Sequence, residues 1–283
     1  MKLRLGAMRR RAARPTGDVC QIGPDQRESL IALLDQDAVA NVFLRSELRL
    51  GMPVDGWWGL RDANGLRAAL MGGPLVVPWI PDPGDVPPLA EMLRRQEPPQ
   101  LIIGPAPAVR ALTSSLAPRR RPHELRDPQP VMVLDTPVEG VPAMPIRRGR
   151  RNDLDQLTVA AAAMHHEEMG IDPLTFDPIG WRRRMATLID RGWSFLFMEG
   201  GEIAFKVELS AWTPEAVQLQ GVWTDPRHRR RGIATAAMAA VCAELLAETR
   251  ICSLYVNAYN EPALRLYRRL GFRQVGEYAT AIF

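Results

Sequence analysis

Proline and arginine are concentrated in one stretch near the middle of the 283-residue chain, between Pro118 and Pro145. This stretch contains RRRPHELRDPQP and DTPVEGVPAMP around a single apolar run, VMVL. Because proline interrupts helices and strands, the stretch divides the chain into two parts. Each part is long enough for a domain of about 100 to 150 residues with its own core. We therefore predict a boundary at 139–145, between an N-terminal domain at 18–140 and a C-terminal domain at 146–283.

The composition argues against membrane, secreted and disordered classes of protein. The hydrophobic fraction of 46% and the charged fraction of 24% are typical of folded globular chains. No apolar run reaches the roughly 18 residues that a membrane-spanning helix needs. The segment 1–17 is basic but lacks an apolar region, so we interpret it as a flexible tail rather than a secretory signal. Three cysteines without CxxC spacing suit a reducing compartment, which predicts a cytoplasmic protein without a membrane partner.

Arginine clusters recur along the chain, although the formal net charge is only +4. The clusters are RRRAAR, RRRPH, RRGRR, WRRR and RHRRR. We interpret the first four as solvated surfaces, because an arginine-rich composition scatters such runs over exposed faces. Nucleic-acid binding would need interleaved aromatic residues or a known module, so we predict no nucleic-acid partner. The fifth cluster lies in a glycine-containing loop and is considered below.

The N-terminal half has the pattern of a mixed α and β domain. Helical spacing of apolar residues covers 26–50, and WWGLRDANGLRAAL is typical of two strands joined by an Asn-Gly turn. LIIG predicts a buried strand, and a helix is expected to begin after Gly104. No ionisable residues stand at catalytic spacing in this half.

The C-terminal half predicts two helices followed by an antiparallel meander. Asn152 or Asp153 is expected to cap the first helix, which Gly170 ends, and Asp177 stands at the start of the second. Strands SFLFM, IAFKVEL and AVQLQGVWT follow, then a helix at 233–248, a strand, a short helix and a last strand. Antiparallel strands followed by a strand–helix–strand unit predict an α+β fold.

The segment VWTDPRHRRRGIATAAMAAV joins a strand to the N-terminus of a helix through a basic loop. Amides at such a junction have no partner within the helix, and the helix dipole adds positive potential. Small residues such as Gly232 and Ala234 let an anion approach the main chain. The loop therefore predicts a phosphate site, although small residues at a helix start also serve packing alone.

The order and spacing of two motifs resemble the GNAT superfamily of acyl-CoA N-acyltransferases. The first motif is Arg229, Gly232 and Ala234, and the second is Asn260, Ala263, Tyr267 and the pair Gly271-Phe272. The resemblance covers the C-terminal half. It implies a GNAT-like, mainly antiparallel mixed sheet flanked by helices, preceded by a second, degenerate GNAT-like domain.

The resemblance implies a transferase that uses acetyl-CoA as cosubstrate and needs no metal. Main-chain groups of Val222, Trp223 and Thr224 would pair with the pantetheine arm, and Asn260 would bond it. Tyr267 would protonate the departing thiolate, the alternative being a residue that only packs on the sheet. The residues implied at the pyrophosphate are Arg229, Arg230, Arg231, Gly232, Ile233, Ala234 and Thr235.

The general base is where the sequence departs from the family patterns. Relatives carry a glutamate at the positions of Tyr255 or Gln218, and neither of these can accept a proton as a carboxylate does. Candidate bases are Glu208 on the meander, and Glu167 and Glu168, which we expect in the loop between the two helices. A water relay or an acceptor amine of low pKa is the alternative. His165 and His166 are adjacent and lack a third ligand, which argues against a metal site.

Two hypotheses of function follow from these residues. The first is transfer of an acetyl or other short acyl group to a primary amine by direct attack, and the second is a CoA-binding regulatory module without turnover. The N-terminal half has GPAP before its helix instead of the loop motif, so we predict one CoA site per chain. That half would shape the acceptor cleft or an interface. The acceptor amine and the oligomeric state are left open by the sequence.

Overall fold

The computed structural model describes residues 17–117 and 120–283. The basic tail predicted at 1–17 lies outside the described residues, apart from Gly17. The first half of the described chain contains four α-helices. These are α1 (Arg27–Leu34), α2 (Val42–Arg49), α3 (Val86–Leu93) and α4 (Ala106–Leu116). Its strands are β1 (Asp18–Gln21), β2 (Trp57–Asp62), β3 (Gly65–Met71), β4 (Leu75–Trp79), β5 (Leu101–Pro105) and β6 (Glu124–Leu134).

The second half repeats this order of elements. Its helices are α5 (Leu154–Met169), α6 (Pro178–Asp190), α7 (Ile233–Leu246) and α8 (Glu261–Arg269). Its strands are β7 (Arg147–Arg148), β8 (Ser194–Glu199), β9 (Glu202–Trp212), β10 (Val217–Thr224), β11 (Cys252–Tyr255) and β12 (Arg273–Ile282). The helices and meander predicted from the sequence are confirmed, with ends displaced by up to three residues.

Within the described residues, twelve strands form one continuous sheet in the order β1-β2-β3-β4-β5-β12-β6-β11-β10-β9-β8-β7. Neighbours are antiparallel except at two places, where β4 meets β5 and where β10 meets β11. Both parallel contacts follow a meander and a crossover helix, α3 in the first half and α7 in the second. The expected α+β, mainly antiparallel fold with a second GNAT-like half is confirmed.

The two halves exchange their last strands at the centre of the sheet. Strand β6, from the first half, pairs with β11 and β12 of the second half. Strand β12, from the second half, pairs in turn with β5 of the first. The sequence indicates only the apolar run VMVL in this region, because Pro128 and Pro130 interrupt the alternating pattern of the rest of β6. The segment 135–146 contains no helix or strand. Because the sheet is continuous across the halves, the boundary at 139–145 stays a prediction.

The helical spacing over 26–50 is divided between α1 and α2, which a turn at 35–41 separates. Asp37 Oδ1 accepts hydrogen bonds from the amides of Val39 and Ala40, at 3.1 and 2.9 Å. Asn41 Nδ2 donates to the carbonyl of Leu34 at 2.9 Å. Side-chain hydrogen bonds of this kind replace helical ones and stabilise a turn. The turn lets α2 pack on β9 of the other half, where Ser46 Oγ accepts from the amide of Trp212 at 3.0 Å.

The counterpart of the basic loop in the first half is also corrected. GPAP precedes α4, whose position after β5 matches that of α8 rather than α7. The topological equivalent of the basic loop is therefore the segment 80–85, between β4 and α3. It carries Asp82 and Asp85 in place of arginines, and Pro87 and Pro88 occupy the first turn of α3. These carboxylates repel phosphate, and the prolines lack amide hydrogens, so the segment disfavours phosphate binding.

No helix in the described ranges is both long and apolar enough to cross a membrane.

Candidate active site

A cleft forms where strands β10 and β11 separate. They pair in parallel only at Val217 with Cys252 and at Gln218 with Ser253. Beyond Gln218, β10 continues along β9, whereas β11 stays with β6. The edge of β10 that faces β11 is therefore left without a strand partner from 219 onward. Unpaired main-chain groups at such an edge can bind an extended ligand as an additional strand would.

Two adjoining cavities occupy this cleft. The outer cavity, of about 820 Å³, lies between the loop 228–235 and helix α8. The inner cavity, of about 300 Å³, extends below α5 and α6 to strand β6. The residues common to both linings are Met164, Glu168, Val222, Asn260, Ala263 and Tyr267. A group bound in one cavity would meet a group bound in the other at these residues.

The basic loop presents a row of main-chain amides to the outer cavity. Arg230 and Gly232 adopt left-handed backbone conformations, with φ of 61° and 78°. No main-chain or capping hydrogen bond is described for the amides of 230–235, whereas Ala236 donates to the carbonyl of Gly232 at 3.1 Å. Arg230 is the one non-glycine residue in the described chain with positive φ, a conformation that is costly and concentrated at functional sites. The loop therefore has the geometry of an anion site.

Gly232 leaves room for a ligand at this loop. A Cβ atom built on Gly232 would have no heavy atom within 4 Å, so the space beside it is open. Of the residues predicted to bind CoA, only Arg231 is absent from the lining of the outer cavity within the described chain.

Three of the four arginines of the loop are already paired with carboxylates. The pairs are Arg227–Asp225, Arg229–Glu167 and Arg231–Glu199, with N–O distances of 2.7 to 2.8 Å. The positive charge that the sequence predicts for this loop is therefore largely balanced within the protein. Arg230 takes part in none of the ion pairs described for this chain. The main-chain amides, more than the side chains, make the loop a site for an anion.

Helix α8 adds two basic residues that the sequence analysis missed. Arg265 and Arg269 both line the outer cavity opposite the loop. They stand four residues apart, so they share one face of α8. The sequence could have indicated both residues, because two arginines four residues apart on a predicted helix lie on the same face.

The strand end at 222–224 and Asn260 frame the opening between the cavities. The indole N–H of Trp223 donates to Glu167 at 3.1 Å, and the carbonyl of Thr224 accepts from Arg229 at 2.9 Å. Asn260 is the N-cap of α8, since its Oδ1 accepts from the amide of Ala263 at 3.2 Å. Its predicted contact with pantetheine would therefore fall to the amide nitrogen, for which no partner is described.

Tyr267 lies at the junction of the two cavities. Its side chain is 6% exposed, and its ring packs against Phe272 at a centroid distance of 5.7 Å. Burial raises the pKa of the Tyr267 phenol, and the negative charge of Glu168 raises it further. A phenol with a raised pKa keeps its proton at neutral pH, as a general acid must.

Glu208 is not a free carboxylate, because it is paired with a lysine that the sequence analysis missed. Lys206 Nζ lies 2.8 and 3.1 Å from the two Glu208 oxygens and 3.0 Å from the carbonyl of Gly221. Lys206 is fully buried and Glu208 is 3% exposed. Gly221 has a φ of 61°, and a Cβ there would lie 1.9 Å from Glu208 Oε2, so this position requires glycine.

Glu167 and Glu168 lie on the last turn of α5, not in the following loop as predicted. Helix α5 continues to Met169 before Gly170 ends it in a left-handed conformation. Glu167 accepts hydrogen bonds from Trp223 and Arg229, whereas Glu168 takes part in none of the ion pairs described for the chain. Although Glu168 is accessible to solvent, the walls of the cleft displace part of its hydration and raise its pKa. A glutamate with a raised pKa is better matched to proton abstraction near neutral pH.

The positions where relatives carry a glutamate differ in their surroundings. Gln218 is buried, and its Oε1 accepts a hydrogen bond from Ser210 at 2.9 Å within the meander. Tyr255 lines the inner cavity, and burial raises its pKa. Neither offers a carboxylate to the cleft.

The exchanged strand β6 brings the first half into the inner cavity. Arg126 and Gln129 of β6 line it, and Gln129 bridges Asn257 and Thr280 with hydrogen bonds of 2.8 and 2.7 Å. Glu124 pairs with Arg126 at 2.7 Å. Of the two roles considered for the first half, the structure therefore supports shaping the cleft.

Two family models match parts of the chain. Residues 165–272 match the sequence model of the acetyltransferase (GNAT) family, and residues 56–157 match that of a domain of unknown function, DUF4081. No curated protein matches the chain.

Solved structures match over nearly the whole chain. An acetyltransferase of the GNAT family from Colwellia psychrerythraea has a TM-score of 0.61 at 12% identity, covering 94% of this chain and 99% of that one. A tandem GNAT protein from the clavulanic acid biosynthesis pathway has a TM-score of 0.57 at 15% identity, covering 94% and 98%. A GCN5-related N-acetyltransferase from Sphaerobacter thermophilus has a TM-score of 0.56 at 17% identity, covering 93% and 94%.

The TM-scores indicate a shared fold despite the low sequence identities. The match to the family model extends from α5 to the residue before β12. It includes the separated strands, the basic loop and Tyr267. Residues 165–272 therefore match the acetyltransferase (GNAT) family, within a chain whose fold is similar to that of tandem GNAT proteins.

Proposed function

We propose that the protein transfers an acetyl or other short acyl group from acyl-CoA to a primary amine. The observation that carries the proposal is the meeting of two cavities at Tyr267, one of which is lined by the unpaired amides of 230–235. The outer cavity would hold acyl-CoA and the inner cavity the acceptor. The family of the domain supports acyl transfer as the reaction.

The outer cavity fits the parts of CoA in the order that they are joined. The amides of 230–235 and the dipole of α7 would bind the pyrophosphate, and the open space at Gly232 would admit it. The free edge of β10 at 222–224 would pair with the amide groups of pantetheine. Asn260 would donate to the same arm. Bound CoA supplies the thioester that is attacked.

Two residues at the junction are assigned to proton transfer. Glu168 would accept the proton that the amine loses as its nitrogen bonds to the thioester carbonyl carbon. Tyr267 would give its proton to the sulfur as the carbon–sulfur bond breaks. Of the other candidate bases, Glu208 already accepts from Lys206 at both oxygens, and Glu167 is paired with Arg229.

Calorimetric titration and an amine screen test the proposal together. One acetyl-CoA should bind per chain, because the equivalent loop of the first half carries Asp82 and Asp85. Release of free CoA should then depend on an added amine. Two equivalent sites, or none, would contradict the binding part, and binding without release for any amine would favour the regulatory module.

A further inference from the structure

The inner cavity combines side-chain charges of both signs. Arg126 of β6 and Arg184 of α6 contribute guanidinium groups to its lining, and Glu168 and Glu208 contribute carboxylates. Arg184 belongs to the cluster WRRR, which the sequence alone predicted as a solvated surface. A cavity with both charges is suited to a ligand that itself carries both.

Two of these four charges are compensated within the protein. Lys206 pairs with Glu208 at 2.8 Å, and Glu124 pairs with Arg126 at 2.7 Å. Arg184 and Glu168, in contrast, occur in none of the ion pairs described for the chain. The cavity therefore keeps one uncompensated cation and one uncompensated anion.

Trp181 and His165 lie beside Arg184 on the positively charged side of the cavity. The guanidinium of Arg184 lies 5.7 Å from the ring centroid of Trp181, and the ring of His165 lies 5.2 Å from the same residue. Burial lowers the pKa of His165, and the charges of Arg184 and Arg126 lower it further. Both arginines therefore act on the same part of the cavity, and His165 adds no charge there at neutral pH.

The size of the cavity suits a small acceptor. Its volume of about 300 Å³ is at the lower end of ligand sites, which span roughly 300 to 1,000 Å³. Apolar residues complete the lining, among them Met164, Met185 and Leu188. The space is suited to a compact molecule with one apolar part and two charged ends.

We propose that the acceptor is a small zwitterion of the amino-acid class, with its carboxylate bound by Arg184 and its amino group beside Glu168. This inference rests on the proposed function and specifies its substrate. Guanidinium groups bind carboxylates through paired hydrogen bonds, and Glu168 attracts the ammonium form before accepting its proton. In the reaction, the amino nitrogen bonds to the acyl carbon, the carbon–sulfur bond breaks, and Tyr267 protonates the sulfur.

Amines without a neighbouring anion would leave the positive side of the cavity unsatisfied. The side-chain amine of a lysine within a protein lacks a free carboxylate, and so does a protein N-terminus. Binding either would cover Arg184 without providing a counter-charge, which costs free energy. The inner cavity therefore selects against protein acceptors.

Matched sets of small amines test this inference. Phenylalanine carries a carboxylate, phenylalaninamide carries a neutral amide in its place, and phenethylamine carries neither. Methionine, leucine and ornithine, each with its amide and its decarboxylated amine, provide equivalent sets. CoA release would give kcat/KM for each, and calorimetry on the CoA-loaded protein would give Kd. We expect the carboxylates to have the highest kcat/KM and the tightest binding. The amide has the more weakly basic amine, so chemistry alone would favour the amide instead.

Substitution of Arg184 tests whether this residue binds the carboxylate. Arg184→Gln should raise the KM and Kd of the carboxylate acceptor by roughly tenfold to a hundredfold, the range for losing a charged hydrogen bond. It should leave kcat and the Kd for acetyl-CoA nearly unchanged. Arg183→Gln is the matched control, because Arg183 is an exposed neighbour on α6 outside the described lining of the cavity.

The outcomes separate this inference from the proposed function. Equal or better turnover of amines without a carboxylate, or a carboxylate KM unaffected by Arg184→Gln, would overturn the inference while acyl transfer stands. Acylation of peptides in preference to free amino acids would overturn it in the same way. A protein that binds acetyl-CoA but acylates no amine would overturn both.

Discussion

Lys206 and Glu208 form a buried ion pair on strand β9, with Nζ 2.8 Å from Oε1. Lys2 and Lys206 are the only lysines in a sequence with 36 lysines and arginines. The ammonium group is more compact than a guanidinium, which suits the narrow space between Glu208 and the carbonyl of Gly221. The pair therefore holds the irregular part of β10 through the carbonyl of Gly221.

Removing Lys206 alone should destabilise the protein strongly. Lys206→Met leaves Glu208 buried without a counter-charge, which should lower the free energy of unfolding by about 3 to 5 kcal/mol. Replacing both residues, as Lys206→Met with Glu208→Leu, should cost less than Lys206→Met alone, because no charge is left unpaired. Urea unfolding measures both values.

An exposed ion pair provides the control for this comparison. Arg151→Met breaks the pair with Asp190, in which both side chains are largely exposed. Its cost should be at most about 1 kcal/mol. A loss for Lys206→Met as small as this would show that Glu208 finds another partner or takes up a proton.

Gly232 should be essential for CoA binding but not for folding. In Gly232→Val, the added side chain occupies open space beside the amides where the pyrophosphate is proposed to bind, and the positive φ is strained. The Kd for acetyl-CoA should rise by at least about tenfold, which corresponds to losing one charged hydrogen bond. Gly51→Val is a matched control, since Gly51 also has positive φ and open space but lies in the first half. Equal affinity in a folded Gly232→Val protein would remove the loop from the proposed site.

Glu168 should set the acidic limb of the pH–rate profile. A base acts only when deprotonated, so kcat/KM should rise with pH through the pKa of Glu168. Because burial raises that pKa, the limb should lie above the ordinary glutamate value of 4.5. Glu168→Gln should remove the limb and lower the rate by about a hundredfold.

Glu167→Gln separates a base from a structural carboxylate. Glu167 binds Trp223 and Arg229, so its loss should alter acetyl-CoA affinity and leave the acidic limb in place. If Glu168→Gln still shows the acidic limb of the pH–rate profile, Glu168 is not the base. A water relay or an acceptor amine of low pKa would then account for the loss of the proton.

The sequence could predict the elements whose patterns are local. The loop around Gly232, helix α8 and the meander follow from turn residues and short-range periodicity, and Tyr267 lies on the short helix predicted after the loop. Strand β6 could not be placed, because its position between β11 and β12 depends on contacts between the two halves. Lys206 and Glu208 stand two residues apart on one face of β9, and the sequence predicted the strand without their pairing.

The roles of Arg126 and Arg184 were hidden for a related reason. Each belongs to an arginine-rich segment that composition alone explains as solvated. Their convergence on one cavity requires the exchange of β6 and the packing of α6 over the cleft. Local patterns carry no information on either.

Tyr267→Phe should separate catalysis from binding. The phenol donates its proton as the thiolate leaves and contacts the ground-state thioester little, so its loss should appear in kcat rather than in affinity. The ring keeps its packing on Phe272, so stability and the Kd for acetyl-CoA should change little. The maximal rate should fall by roughly tenfold to a thousandfold, which is the range for losing one positioned acid.

Tyr259→Phe is the control for this substitution, because Tyr259 is 70% exposed and lies outside the described linings of both cavities. It should leave kcat, Kd and stability unchanged. Full activity in Tyr267→Phe would mean that water or another group protonates the sulfur. A raised Kd with unchanged kcat would instead make Tyr267 a binding residue, because an acid that acts only as the thiolate leaves cannot affect the ground state alone.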